Sequence, residues 1–134
     1  MRQRSYPITP VGKPRMTQRD KWAKRPAVLR YRAFKDEVRA RRVILPTDGA
    51  MVTFCLPMPK SWSQKKRREM DGEPHRQKPD LDNLVKALGD ACYEDDSTIH
   101  MIAARKVWGV DGSIEVRPWA WGDPWPEPIE GEQA

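Results

Sequence analysis

Between Leu81 and Cys92 apolar residues return at helical spacing, and acids crowd both ends of that stretch. Leu84, Leu88, Ala91 and Cys92 form one stripe, with Leu81 and Val85 alongside, the pattern of a helix with one buried face. The enclosing run, KPDLDNLVKALGDACYEDD from Lys78 to Asp96, carries Asp80, Asp82, Asp90, Glu94, Asp95 and Asp96. In a regular helix Asp80 and Asp82 would point to nearly opposite sides. If Pro79 to Asp82 is extended, as proline favours, the two project together, and the helix starts near Asp82 as its N-cap. Asp82, Lys86 and Asp90 then share the face away from the apolar stripe. Lys86 is either an ordinary surface partner of Asp82, contributing about 0.2 to 0.5 kcal/mol, or a cation placed to orient carboxylates and stabilise a phosphate under attack.

The acids matter because the rest of the chain is basic. The 134 residues include 25 Lys plus Arg against 19 Asp plus Glu, a net charge of +6. Residues from Trp119 onward contain Asp123, Glu127, Glu130 and Glu132 and no Lys or Arg, so the preceding part is more basic than the total. A polyanionic partner is implied, nucleic acid ahead of an anionic membrane surface. Carboxylates beside phosphates repel unless a cation lies between them. An acidic island in a basic chain is what a metal-dependent phosphodiester enzyme needs, because carboxylates hold a hard divalent ion against the phosphate. A DNA-binding protein whose acids only cap a helix and line a turn is the other reading.

The length fits one domain. No apolar run is long enough to span a bilayer and MRQRSYPITP lacks a signal-peptide core, which predicts a soluble, intracellular protein. Cys55 and Cys92 lack metal or redox spacing and are expected to be reduced and packed. His75 and His100 stand alone, in surface or packing roles.

Along the chain, Tyr6 and Ile8 suit one face of a short first strand. The segment VGKPRMTQRDKW gathers Lys13, Arg15, Arg19 and Lys21 near Trp22, either a solvated loop or a DNA-backbone contact. Ala27, Tyr31, Phe34 and Val38 form the stripe of a helix opened by Pro26. Met51 to Leu56 is apolar on both faces, so it is expected at the centre of a sheet, ending at Pro57 and Pro59. Residues 60–79 carry Lys60, Lys65, Lys66, Arg67, Arg68, Arg76 and Lys78 without an apolar stripe. They predict a short helix capped by Ser61 or Ser63 and stopped by Gly72, within a mobile basic flap. Ile99 to Trp108 and Ser113 to Arg117 are expected strands, joined by Val110, Asp111 and Gly112 as a tight hairpin. The tail from Pro118 is rich in Pro and Trp, and Trp119, Trp121 and Trp125 are expected to pack over the domain or a partner subunit.

The string KPDLDNLVKALGDACYEDDSTI resembles the signature of the RusA family of endodeoxyribonucleases, the Holliday junction resolvases of phages and prophages. Similarity extends to VGKPRMTQRDKW, PMPKSWSQKKR and Lys106, up to about Arg117. The resemblance implies an α+β fold, a single small domain over residues 1–118 with a mixed four-stranded sheet packed by two main helices, ahead of an acidic tail over 119–134. It implies a cytoplasmic, phage- or prophage-encoded homodimer, cutting four-way DNA junctions with Mg²⁺. Asp80, Asp82 and Asp96 match the family's essential acids and metal ligands, Lys86 its catalytic lysine, and Asp95 the neighbouring acid. Lys13, Arg15, Lys65, Lys66, Arg67, Arg68 and Lys106 are the expected nucleic-acid contacts. The basic stretch from Lys60 to Lys78 and the tail are longer than in the shortest members. A metal-dependent nuclease acting on flaps or other branched DNA would use the same residues.

Overall fold

The computed structural model describes residues 3–15 and 25–124. The expectations for Arg19, Lys21, Trp22 and Trp125 lie outside them. The elements run β1 (Arg4–Tyr6), α1 (Pro26–Ala40), β2 (Ala50–Pro57), α2 (Gln64–Met70), α3 (Leu81–Cys92), a 3₁₀ turn (Asp96–Thr98), β3 (Ile102–Gly109) and β4 (Ser113–Pro118). The fold is α+β. Its four strands form one mixed sheet in the order β1-β4-β2-β3.

β2 is central, as its apolar residues on both faces require. It pairs in parallel with β3 and antiparallel with β4. Its even-numbered residues Ala50, Val52, Phe54 and Leu56 meet the two main helices, together with Ile114 and Val116 of β4. Helix α1 contributes Val28, Tyr31, Phe34 and Val38. Val28 is fully buried where the stripe assigned Ala27, which is half-buried. From α3 come Leu84, Ala87, Leu88 and Ala91. Small side chains at 87 and 91 let α1 and α3 approach closely.

The expected hairpin from β3 to β4 does not form, because β2 lies between them. A strand buried on both faces needs ladder partners along both edges. The turn Val110–Gly112 therefore steps across the end of β2, from Gly109 paired with Pro57 to Ser113 paired with Cys55. Gly112 crosses close to Thr9, where a Cβ would stand 2.7 Å from the Thr9 Cα. β3 also starts later than expected, at Ile102, because Ile99 donates its N–H to the Asp96 carbonyl and closes the 3₁₀ turn. The tail begins by hooking onto Gly49: the Trp119 N–H donates to the Gly49 carbonyl at 3.0 Å. Gly49 has φ of 145°, and its missing side chain admits the Trp119 carbonyl. Trp121 does not pack and is 88 % exposed. Cys55 and Cys92 are free and half-buried, and burial raises both thiol pKa values, that of Cys92 to about 11.

The basic segment is anchored, contrary to the expected mobile flap. Ser63 caps α2 by accepting from the Lys66 N–H at 3.1 Å, and Gly72 takes the positive φ of 81° that ends the helix. Beyond it the chain lies along the outer edge of β3. Gly72 donates to Trp108, Trp108 to Glu73, and His75 to Lys106, at 2.9, 2.9 and 3.1 Å. Trp108 packs between Trp62 and His75, with ring centroids 4.8 and 4.1 Å away. The anchor is an aromatic cluster and an edge ladder, neither of which leaves a helical stripe in the sequence. Trp108→Ala is expected to cost about 3 to 5 kcal/mol, and the amides of Gly72 and His75 should lose hydrogen-exchange protection before those of β2.

Candidate metal and nucleic-acid site

Helix α3 begins earlier than predicted, with Asp80 and not Asp82 as the N-cap. Asp80 is extended, with φ −68° and ψ 144°, and its carbonyl accepts from the Leu84 N–H at 3.1 Å. Its carboxylate does not cap the helix. Both oxygens accept from the Lys78 ammonium, at 2.8 and 3.0 Å. That contact holds the Asp80 carboxyl below the usual carboxylate range. Asp82 sits in the first turn, where its charge favours the helix dipole.

Lys86 stands one turn on, 3.8 Å from the Asp82 carboxylate. Asp96 returns from the far end of the helix. A Cβ added at Gly89 would lie 3.5 Å from both the Cβ and Oδ2 of Asp96, so the bare glycine leaves the space that Asp96 occupies. Gly89 is seven residues after Asp82 and three after Lys86, hence on the same side of the helix. The three side chains thus line one face, Lys86 between the two acids, with Asp82 and Gly89 about 10 Å apart along the axis. Asp95 serves the turn itself, where its Oδ1 accepts from the Ser97 N–H at 3.0 Å and caps the 3₁₀ turn. Among the described residues, no three His, Cys, Asp or Glu side chains stand close enough together to hold one metal ion, so Asp80, Asp82 and Asp96 are not gathered at one point.

Lys106 points toward the turn before α3. Its ammonium donates to the carbonyls of Gln77 and Pro79, the latter at 2.7 Å, and burial, with Lys78 nearby, lowers its pKa. Lys106 and Trp108 share the helix-side face of β3, so one strand registers both the basic segment and the entry to Asp80. Of the other cations, Lys66 lies over the Trp62 ring at 4.3 Å and Arg67 donates to the Pro59 carbonyl at 2.9 Å. Lys65 and Arg68 on α2 are exposed. Lys13 and Arg15 line an open pocket with Asn83 and Lys86.

Asp90 has a larger part than the helix face that its spacing suggests. It accepts from the Tyr31 hydroxyl at 2.7 Å and pairs with Lys13 at 2.6 Å. Burial opposes its ionisation, yet the Lys13 and Tyr31 hydrogen bonds outweigh it and its pKa is lowered. Burial and the bond to Asp90 push the Tyr31 hydroxyl pKa well up. The sequence offers only an acid eight residues after Asp82 and fifty-nine after Tyr31, a distance no helical spacing bridges.

His75 is 5 % exposed, and burial, helped by Lys106, lowers its pKa below the ordinary histidine value of 6.5. The folded protein therefore binds this proton less readily than the unfolded chain. Its contribution to stability is full above the unfolded value and is lost as pH falls through and below it. The melting temperature is expected to drop between pH 7.5 and pH 5, and to drop less in His75→Gln.

No curated protein matches the chain. The family model described as Endodeoxyribonuclease RusA matches residues 6–117, from β1 through β4 with the acidic helix between them. The chain belongs to the RusA family of endodeoxyribonucleases.

Proposed function

We propose that the protein is a Mg²⁺-dependent endonuclease that resolves four-way DNA junctions as a homodimer, with Asp80, Asp82 and Asp96 as metal ligands and Lys86 as the catalytic cation. The observation that carries this reading is the return of Asp96 beside Gly89, on the side of α3 that presents Asp82 and Lys86.

The donors are of the kind the ion takes, although the three carboxylates do not meet at one point. Carboxylate oxygens suit a hard cation, and Mg²⁺ keeps several waters and takes one or two carboxylates plus substrate phosphate in place of an all-protein cage. Asp80 already presents both oxygens to a cation, the Lys78 ammonium. When bound, Mg²⁺ supplies positive charge against the phosphate and acidifies a water for attack. Lys86 lies between the acids, where an ammonium offsets the charge that develops on the phosphate. Lys13, Arg15 and the α2 cations Lys65, Lys66, Arg67 and Arg68 grip neighbouring phosphates and set affinity without reading bases. Lys106 acts indirectly, by holding the turn that presents Asp80.

Resolution of a junction needs two symmetry-related cuts, which a two-fold dimer supplies. No helix among the described residues is long and apolar enough to cross a membrane.

Asp82→Asn and Lys86→Met are each expected to slow Mg²⁺-dependent cleavage of a synthetic four-way junction by at least about 100-fold, while binding in EDTA persists. Wild-type cleavage rates for Asp82→Asn would overturn the metal assignment. Faster cutting of flaps than of four-way junctions would redirect the substrate. Sedimentation should give a dimer with and without junction DNA, and a monomer in both conditions would remove the paired-site mechanism.

A further inference from the structure

Lys13 lies along α3. Its backbone N–H donates to the Asn83 carbonyl at 3.0 Å, and its ammonium reaches Asp90 at 2.6 Å, seven residues and about 10 Å of helix farther on. Gly12, the residue before it, packs onto the Pro79 turn, where a Cβ would stand 3.0 Å from the Pro79 Cβ and 3.5 Å from that of Asn83. The loop is thus pinned at three points: Pro79, Asn83 and Asp90. Beside it opens a pocket of about 460 Å³ lined by Lys13, Pro14, Arg15, Asn83 and Lys86. Three cations and an amide on a rim next to the proposed metal carboxylates have the chemistry of a phosphodiester site. The backbone contacts place the loop, and the Asp90 pair fixes where the Lys13 ammonium stands beside that rim.

We propose that Asp90 is a positioning residue: through its ion pair with Lys13 it fixes the Lys13 ammonium along α3 and so completes a phosphodiester-binding pocket of Lys13, Arg15, Asn83 and Lys86. The role in cleavage rests on the nuclease reading above, whereas the pocket does not. Asp90 touches no substrate. It orients the phosphate through Lys13, and orientation errors near 1 Å can cost about 100-fold in rate. A purely structural role would run instead through the Tyr31 hydroxyl, which ties Asp90 to α1.

The two roles separate by substitution. Asp90→Asn keeps a partner for Tyr31 and removes the ion pair; Tyr31→Phe does the reverse. Asp90→Asn is expected to lower kcat on a four-way junction at least tenfold while DNA binding in EDTA stays within threefold, because the cations of α2 keep their phosphates. Asp90→Glu should recover cleavage to within threefold. Lys13→Met should lose a similar factor, and the Asp90→Asn/Lys13→Met pair no more than either alone. Tyr31→Phe should lower Tm and leave kcat within threefold. Wild-type kcat in Asp90→Asn, an equal loss in Tyr31→Phe, or additive losses in the double variant would each overturn the proposal. A second readout needs no cleavage: inorganic phosphate titrated into the wild type should shift the Lys13, Asn83 and Lys86 amide resonances, and these shifts should vanish in Asp90→Asn. If the wild type cuts no DNA yet shows those shifts, the nuclease reading falls and the pocket stands. Shifts that persist in Asp90→Asn would remove Asp90 from the pocket.

Discussion

Burial of one face of α3 sets the geometry of everything around it. Leu84 and Leu88 have no exposed surface, and each contributes about 1.5 to 3 kcal/mol by leaving water. Rotating the helix by one residue would expose both and press charged groups toward the core, where an unpaired charge is far more costly than a lost methylene. The phase of the helix is therefore fixed by its leucines. Its opposite side must present Asp82 and Lys86, and Gly89 gives the returning chain room to set Asp96 against that side. A chemical arrangement thus follows from an apolar one.

The same geometry resolves the conflict between acids and a polyanion. Three acids of the helix region have a lysine within reach: Asp80 has Lys78, Asp82 has Lys86 and Asp90 has Lys13. The first two pairs are largely exposed, and such pairs contribute little stability, about 0 to 1 kcal/mol. They set a cation beside each acid at almost no cost in stability. The third differs. Asp90 is partly buried and braced by Tyr31, and its lysine is less exposed than the other two.

Much of this is legible in the sequence, and the departures have identifiable physical causes. The helical stripe from Leu81 to Cys92, the central strand and the Ser63 and Gly72 boundaries of α2 follow from local periodicity and capping, which depend on near neighbours. The expected hairpin fails because an Asp-Gly turn reports a tight reversal and says nothing of whether a third strand fills the gap; β2, much earlier in the chain, does so. The basic segment reads as a flap because its anchors, Trp62 and His75 against Trp108, come from positions with no common period. Asp90 is inconspicuous for a similar reason: its partners lie on two elements remote in sequence. Of the two adjacent acids, spacing alone does not tell Asp95 from Asp96; in the folded turn Asp95 accepts from the Ser97 N–H, while Asp96 lies against Gly89 of the helix.

The outer edge of β3 shows how a structural requirement and a functional one meet. An open edge with a parallel neighbour would leave backbone donors and acceptors bare and prone to pairing with another chain. Residues 72–75 cover the end of that edge, and Lys106, two residues from Trp108, spends its charge on the carbonyls of Gln77 and Pro79. The half-buried ammonium is tolerated because those two carbonyls replace its water. Covering the edge therefore delivers the chain to Asp80 in a defined place relative to the sheet, while the leucines of α3 set Asp82, Lys86 and Gly89 relative to the same sheet. Two independent packings are referred to one frame, which is how carboxylates from an extended segment, a helix and a 3₁₀ turn come to be fixed against a single sheet.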